Sequence, residues 1–169
     1  MILGGVIMKK IVINKCFGGF SISPEIAIEL FKIENKVDKV HIYCELDEDE
    51  CNPIINGYRR IDNFEFDEFG DFNNADVNRW SAYITICDLG ELVKYKDLEN
   101  NNSKYLLTAQ QDVDREDFNL INMIEKLGSN RCSGECAKLK IIEIPKEVEY
   151  EIQDYDGNEW IAEKHRTWE

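Results

Sequence analysis

"NKCFGGFSISPEIAIELF", residues 14–31, combines three local sequence patterns. An apolar run ends at a cysteine, two glycines follow, and apolar residues then recur at helical spacing. Ser23 is a favoured residue immediately before a helix, and Pro24 suits the first helical position because its missing N–H is not needed there. The stretch therefore predicts a strand, a glycine-containing loop and the start of a helix.

The elements around this stretch extend the pattern. Residues 10–15 are short and rich in β-branched side chains, as in a buried strand, and residues 39–46 have the same character. Between them, Ile26, Leu30 and Ile33 form one apolar helical stripe. A strand, a helix and a second strand in this order favour a parallel strand pair with a right-handed crossover.

Further apolar runs predict strands over 81–87, 104–109 and 138–144. A helix is expected between a capping Asp114 and a closing Gly128, with acidic residues in its first turn. Together these elements predict a single domain over residues 1–169, of α+β or α/β class. We expect a mixed central sheet, two main helices and a C-terminal β-hairpin.

The hairpin prediction depends on Asp156 and Gly157. Asp-Gly is a strong signal for a two-residue turn in which both residues have positive φ. In that register Ile152 faces Ile161 and Gln153 neighbours Trp160. A helix over 157–166 is the alternative.

Residues 45–80 form an acidic, phenylalanine-rich segment that we interpret as an insertion. Between residues 45 and 76 there are eleven acidic residues against only Arg59 and Arg60. A solvated linker would not carry four phenylalanines, so part of this segment is expected to pack or to bind something. The four are Phe64, Phe66, Phe69 and Phe72.

The formal charge of −14 excludes the usual electrostatics of nucleic-acid binding and of attachment to anionic membranes. No apolar run reaches the roughly 20 residues of a membrane span, so we expect a cytoplasmic protein. Met8 is a second candidate start beside Met1, which makes residues 1–7 a candidate extension. Among the six cysteines only Cys132 and Cys136 form a pair within zinc-ligand spacing, and a zinc site would prefer two such pairs, so reduced thiols, no metal site and no cofactor are expected.

The glycine loop is the first candidate binding site. Backbone N–H groups at the end of a strand, together with a helix N-terminus, can hold a phosphate or another anion. The loop fits neither the P-loop nor the dinucleotide-binding motif, and Ile22 stands where a Cys-x5-Arg phosphatase loop needs arginine. A tight structural turn is the alternative. The candidate ligand-binding residues here are Cys16, Gly18, Gly19, Ser21 and Ser23.

The last residues form the second candidate site. His165 is a candidate general acid or base, because the pKa of histidine lies near neutrality. Arg166 and Trp168 could add a cation and a stacking ring to an anion site. The alternative is that these three residues only dock the tail onto the domain.

Two sequence blocks resemble a small family of bacteriophage and prophage proteins. They are "KIVINKCFGGFSIS" (10–23) and "AKLKIIEIPKEVEYEIQDYDGNEWIAEKHRTW" (137–168), and "DREDFNLINMIEKLG" (114–128) fits the same pattern. The resemblance covers about half of the chain. It implies a phage-borne accessory protein of the host cytoplasm, and it carries over no catalytic residue.

Three functions are consistent with that setting. The protein could sequester a phosphorylated small molecule or nucleotide signal, or block a host defence protein, as a binder without enzymatic activity. It could be an acidic protein–protein inhibitor that uses the 45–76 surface. It could be a small hydrolase or transferase that uses His165. The expected partner is a small anionic ligand or a host protein, and a homo-oligomer is left open.

Overall fold

The protein has an α+β fold in the computed structural model, which describes residues 7–46, 57–73 and 77–164. The chain divides into two compact units. Unit 1 combines residues 1–22 with 113–169, and unit 2 comprises residues 23–112. The elements in chain order are β1 (Met8–Asn14), α1 (Pro24–Asn35), β2 (His41–Glu45), β3 (Tyr58–Ile61), β4 (Ala82–Thr85), β5 (Leu92–Val93), α2 (Tyr95–Asn100), β6 (Lys104–Tyr105), α3 (Leu106–Gln111), α4 (Phe118–Leu127), α5 (Ser129–Cys132), β7 (Leu139–Pro145), β8 (Tyr150–Tyr155) and β9 (Asn158–Glu163).

Unit 1 is built around an antiparallel pair of β1 and β7, in which Met8 lies opposite Pro145 and Asn14 opposite Leu139. The helix α4 begins after Asp117, whose side chain accepts a hydrogen bond from the backbone N–H of Leu120 at 2.8 Å. The expected cap, Asp114, instead accepts from the N–H of Glu116 before the helix. The buried residues of the unit include Ile11, Val12, Ile13, Leu120, Ile124 and Leu139.

The C-terminal hairpin of unit 1 has the predicted register. β8 and β9 place Ile152 opposite Ile161 and Gln153 opposite Trp160. The turn residue Asp156 has φ 51°, a conformation that aspartate tolerates better than most residues. The hairpin is therefore confirmed, and the alternative helix over 157–166 is wrong for the residues up to Lys164.

Unit 2 is an antiparallel sheet of five strands in the order β5-β3-β2-β4-β6. Alternate residues of its central strand β2 point to opposite faces. One face carries Ile42 and Ile84, which are fully buried, and the other carries Tyr43, which packs with Val93 and Leu98.

The helix α1 begins where the sequence predicted, with Ser23 before it and Pro24 at its first position. The predicted stripe is wrong in part, because Ile33 is 44% exposed while Phe31 is buried. α1 lies next to α3, so its inward side is set by tertiary contacts that spacing alone does not reveal.

The predicted parallel pair is also wrong. β1 pairs with β7 and β2 pairs with β3 and β4, and every strand pairing among the described residues is antiparallel. β2 pairs with β3, the next strand along the chain, as antiparallel strands commonly do. β1 instead pairs with β7, which lies near the other end of the chain. The sheet is therefore not mixed in its described part.

Two other segments differ from expectation. Residues 106–109 belong to the helix α3, and only Lys104 and Tyr105 of the predicted 104–109 strand are extended. Leucine, alanine and glutamine are good helix formers, and this short apolar run fits both structures. The acidic segment also contributes β3 to the five-stranded sheet, so it is not entirely an insertion.

Candidate functional site

The side chain of Asn14 holds the glycine loop, residues 16–20, in unit 1. Asn14 is fully buried at the end of β1. Its Oδ1 accepts from the N–H groups of Cys16 and Lys138, at 3.2 and 2.8 Å. Its Nδ2 donates to the carbonyl oxygens of Cys16 and Gly157, both at 2.7 Å. One buried amide thus joins the loop, the residue before β7 and the hairpin turn.

The hairpin turn lies directly against the glycine loop. Gly157 has φ 82°, and a Cβ on it would overlap the backbone nitrogen of Gly19 and lie 2.9 Å from that of Gly18. A Cβ on Gly18 would likewise overlap the carbonyl oxygen of Cys136. Close approach of backbones therefore explains the glycines at 18 and 157.

A buried carboxylate lies next to this contact. Glu159 on β9 is only 7% exposed and accepts from the backbone N–H of Asn14 at 2.7 Å. The guanidinium of Arg115 donates to both of its carboxylate oxygens, at 3.0 Å each. The same guanidinium lies 3.2 Å from the ring centroid of Phe20. This pair and its hydrogen bonds connect β1, β9 and the segment before α4.

The remaining predicted site residues differ in their burial and in their hydrogen bonds. Ser21 is half-buried, and its carbonyl accepts from the N–H of Gly134 at 2.9 Å. Ser23 is fully buried before α1, yet its hydroxyl makes no capping bond and has no partner within the described residues. Cys16 is half-buried, and its backbone N–H and C=O are both hydrogen-bonded to the side chain of Asn14. The tail residues His165, Arg166 and Trp168 lie outside the described residues.

This geometry bears on anion binding at the glycine loop. The backbone nitrogens of Gly18 and Gly19 lie close to Gly157, and the first backbone N–H of α1, that of Glu25, donates to the carbonyl of Gly70 at 3.0 Å. A structural turn accounts for these glycines without a ligand. Anion binding here, and the meeting of the loop with residues 165–168, stay predictions.

An acidic loop in unit 2 presents an exposed aromatic ring. We call residues 67–71 the Phe69 loop; Phe66 and Phe72 pair as an antiparallel bridge at its base. Asp67 Oδ1 accepts from the N–H groups of Phe69 and Asp71, at 2.8 and 3.0 Å. The N–H of Asp67 donates to the carbonyl of Asp71 at 2.8 Å. Phe69 at the tip is 54% exposed.

The other phenylalanines of the segment form the base of this loop. The ring centroid of Phe64 lies 5.7 Å from that of Phe66 and 5.9 Å from that of Phe72, and both contacts are edge-to-face. Aromatic pairs at such distances and angles are favourable. Three of the four phenylalanines thus pack together, and the fourth points outward.

A shallow cleft of about 320 Å³ lies beside the start of β2 in unit 2. Its lining carries both cationic and acidic side chains, so it favours no single ligand charge. Lys32 on this lining already pairs with Glu29 at 2.7 Å. The lining residues are Lys32, Asp38, Lys39, Val40, His41, Ile61, Asp62, Asn63, Phe64 and Glu65.

Arg60 is an ion-paired cation on β3. Its guanidinium donates to Asp62, at 2.6 Å, and to Asp88. A hydrogen bond from the Gly90 N–H, followed by the Arg60 guanidinium, holds the pKa of the Asp88 carboxyl below its usual value. The positive charge of Arg60 is thus neutralised locally, which leaves the nearby segment acidic.

Metal and thiol chemistry find little support in the described part of the chain. Among residues 7–46, 57–73 and 77–164, no three His, Cys, Asp or Glu side chains form a group that could hold a metal ion. The five cysteines in these ranges are thiols rather than disulfides. Burial raises the pKa of the Cys44 thiol to about 11, which makes this sulfur unreactive at neutral pH.

The described helices include none that is long and apolar enough to cross a bilayer. No protein-family model, curated protein or solved structure matches this chain.

The sequence did not indicate the roles of Asn14 and Arg115, and it suggested Glu159 only as a residue that could orient His165. The signal available was a polar residue at the end of a buried apolar strand, four positions before the first of two glycines. Their partners lie far away in the sequence, since Asn14 and Glu159 are 145 residues apart. The single aromatic tip at Phe69 was part of the expected acidic segment, but its loop was not foreseen.

Proposed function

We propose that the protein acts by binding, as an acidic inhibitor of a basic protein partner, and that the Phe69 loop is its contact surface. The observation that carries the proposal is the exposed ring of Phe69 on a loop fixed by hydrogen bonds from backbone N–H groups to the carboxylate of Asp67. A single exposed aromatic side chain is common on protein surfaces, so the proposal depends on the fixed backbone of this loop and on the acidic residues beside Phe69.

The loop has the properties of a protein-binding anchor. Aromatic residues at interface centres carry much of the binding energy, and a rigid loop loses less entropy on association. The hydrogen bonds of Asp67 and the bond from Glu25 to Gly70 already fix the backbone around Phe69. Association therefore needs little further ordering.

Charge indicates the kind of partner. Glu65 and Glu68 are exposed beside the Phe69 loop, and the whole chain has a formal charge of −14. Electrostatic complementarity accelerates association with a positive surface and disfavours a negative one. A basic protein is thus the expected target, and the family resemblance makes a host defence protein the natural candidate.

The other two hypotheses receive less support. The amides that would hold a phosphorylated ligand face Gly157. A hydrolase or transferase would need His165, which lies outside the described residues. A nucleotide-induced rise in melting temperature that Gly19→Asp abolishes would restore the anion hypothesis.

The experiment is quantitative capture from host-cell lysate, with the bound protein identified by mass spectrometry. Phe69→Ala removes the anchor, and Glu68→Lys reverses a neighbouring charge. Phe118→Ala is the matched control, because Phe118 is 73% exposed and belongs to unit 1. Deletion of 47–75 is unsuitable because it removes β3 from the sheet.

We expect the wild type and Phe118→Ala to capture the same basic protein. Phe69→Ala should retain about a tenth of it or less, as at an interface hot spot, and Glu68→Lys should also weaken capture. Equal capture by all four proteins, or capture of an acidic protein, would overturn the proposal.

A further inference from the structure

Four tyrosines from four elements converge on one face of the sheet in unit 2. Tyr58 on β3, Tyr83 on β4, Tyr105 on β6 and Tyr95 at the start of α2 form what we call the tyrosine cluster. The ring of Tyr83 is central, with centroids 5.4 Å from Tyr58, 6.1 Å from Tyr95 and 5.2 Å from Tyr105. The contacts with Tyr58 and Tyr95 are edge-to-face.

The cluster differs from a purely structural tyrosine on the same face. Tyr43 is fully buried, and its hydroxyl accepts from the N–H of Leu89 at 2.8 Å and donates to the carbonyl of Gly90 at 3.1 Å. The four cluster tyrosines retain exposed surface, and Tyr95 is 46% exposed. Tyr58 and Tyr83 also pack partly against the core of Tyr43, Val93 and Leu98, and the Tyr105 hydroxyl donates to the carbonyl of Trp80. The exposed parts of the rings go beyond this structural role.

The ring faces of the cluster carry no cation from the described side chains. Elsewhere in the protein such faces are occupied: Lys9 Nζ lies 4.5 Å from the ring centroid of Tyr150, and Arg115 lies over Phe20. Among the lysine and arginine side chains that the structure describes, none lies in this way over the cluster. The electron-rich face of an aromatic ring attracts a cation.

A carboxylate lies beside the cluster. Glu45 ends β2, is exposed, and is the direct cross-strand neighbour of Tyr58. Burial raises the pKa of Tyr58, and the carboxylate of Glu45 raises it further. The negative charge of Glu45 therefore favours a cation beside the cluster.

We propose that the tyrosine cluster, together with Glu45, binds an arginine guanidinium group presented by a protein partner. Arginine is preferred to lysine because its planar guanidinium stacks on an aromatic face while it pairs with a carboxylate. Burial raises the pKa of Tyr83 to about 12, so this phenol stays neutral at physiological pH. This surface is separate from the Phe69 loop and does not depend on it.

The test uses three peptides of the form acetyl-Gly-X-Gly-X-Gly-amide, in which X is arginine, lysine or citrulline. Titrations are followed by tyrosine ring signals in NMR spectra. We expect saturable binding in the order arginine, lysine, citrulline, because citrulline keeps the shape of arginine and lacks its charge. Free arginine should bind more weakly than the peptide.

Variants assign the binding to the cluster. Tyr95→Ala should weaken binding of the arginine peptide about fivefold, while Tyr95→Phe should retain it because the ring remains. Glu45→Gln should weaken it about threefold. Tyr155→Ala is the matched control, since Tyr155 is 74% exposed and belongs to unit 1, and Phe69→Ala should also leave this binding unchanged.

Equal binding of the arginine and citrulline peptides would overturn the proposal, as would an equal loss in Tyr155→Ala and Tyr95→Ala. Free arginine that binds as tightly as the peptide would overturn the assignment to a protein partner. Failure of these titrations would leave capture through Phe69 unaffected, so the two proposals fail separately.

Discussion

At the scale of single residues, Glu159 and Asn14 stabilise unit 1 by connecting segments from the two ends of the chain. Asn14 uses both atoms of its amide, and Glu159 accepts from a backbone N–H and from Arg115. A buried carboxylate is tolerated only when its partners replace the water that it loses. Removal of one partner therefore lowers the free energy of unfolding by more than the intact pair contributes to it.

We predict that Glu159→Gln lowers the free energy of unfolding by about 3 kcal/mol, because it leaves the Arg115 charge without its carboxylate. The measurement is urea unfolding followed by tryptophan fluorescence. Glu125→Gln is the control: Glu125 also pairs, with Lys10, but its side chain is 45% exposed, and such pairs contribute less than about 1 kcal/mol. Equal losses in the two variants would contradict this role of Glu159.

At the scale of elements, the hairpin and the glycine loop form one structural contact. The turn at Asp156 and Gly157 serves two purposes, because it reverses the chain and brings a residue without a side chain against Gly18 and Gly19. The loop in turn approaches Cys136 closely. Close backbone contacts thus explain Gly18 and Gly157, whereas Gly19 is explained by its positive φ of 83°.

Gly157→Ala should destabilise unit 1 more than Gly128→Ala. Both glycines have positive φ, 82° and 88°, so each substitution strains the backbone by roughly 1–3 kcal/mol. Only at Gly157 would the added Cβ also overlap a neighbouring backbone, whereas nothing lies within 4 Å at Gly128. Thermal unfolding measures the difference, and equal shifts in melting temperature would show that the turn does not press on the loop.

Elements with local signals could be predicted from the sequence. The hairpin follows from an Asp-Gly pair, and α1 follows from Ser23 and Pro24. The pairing of β1 with β7 could not be predicted, because register and partner depend on contacts between distant parts of the chain. The helix α3 was missed because a short apolar run fits a strand and a helix equally well.

The candidate site, like the fold, could be predicted only where the signal is local in the sequence. An acidic, phenylalanine-rich surface was expected from composition, and Phe69 is indeed exposed while Phe64, Phe66 and Phe72 pack together. The tyrosine cluster gave no sequence signal, because its members lie on four elements whose adjacency only the sheet order reveals. Spacing along the chain carries no information about such neighbours.

At the scale of the whole molecule, the net negative charge is the property that most affects association with a partner. A formal charge of −14 on 169 residues creates a negative field that attracts cationic surfaces and repels anionic ones. We expect association with the captured basic protein to slow as salt is raised, since screening shortens the range of this field to about 8 Å at physiological ionic strength. Stopped-flow association at low and high salt measures this, and a rate that salt does not change would contradict the electrostatic part of the account.

The most direct test of the central claim is the dissociation constant for that captured protein, measured by isothermal titration calorimetry with the wild type, Phe69→Ala and Phe118→Ala. The account predicts that Phe69→Ala weakens binding about tenfold or more, while Phe118→Ala binds like the wild type. Equal dissociation constants for all three proteins would contradict the assignment of the Phe69 loop as the contact surface.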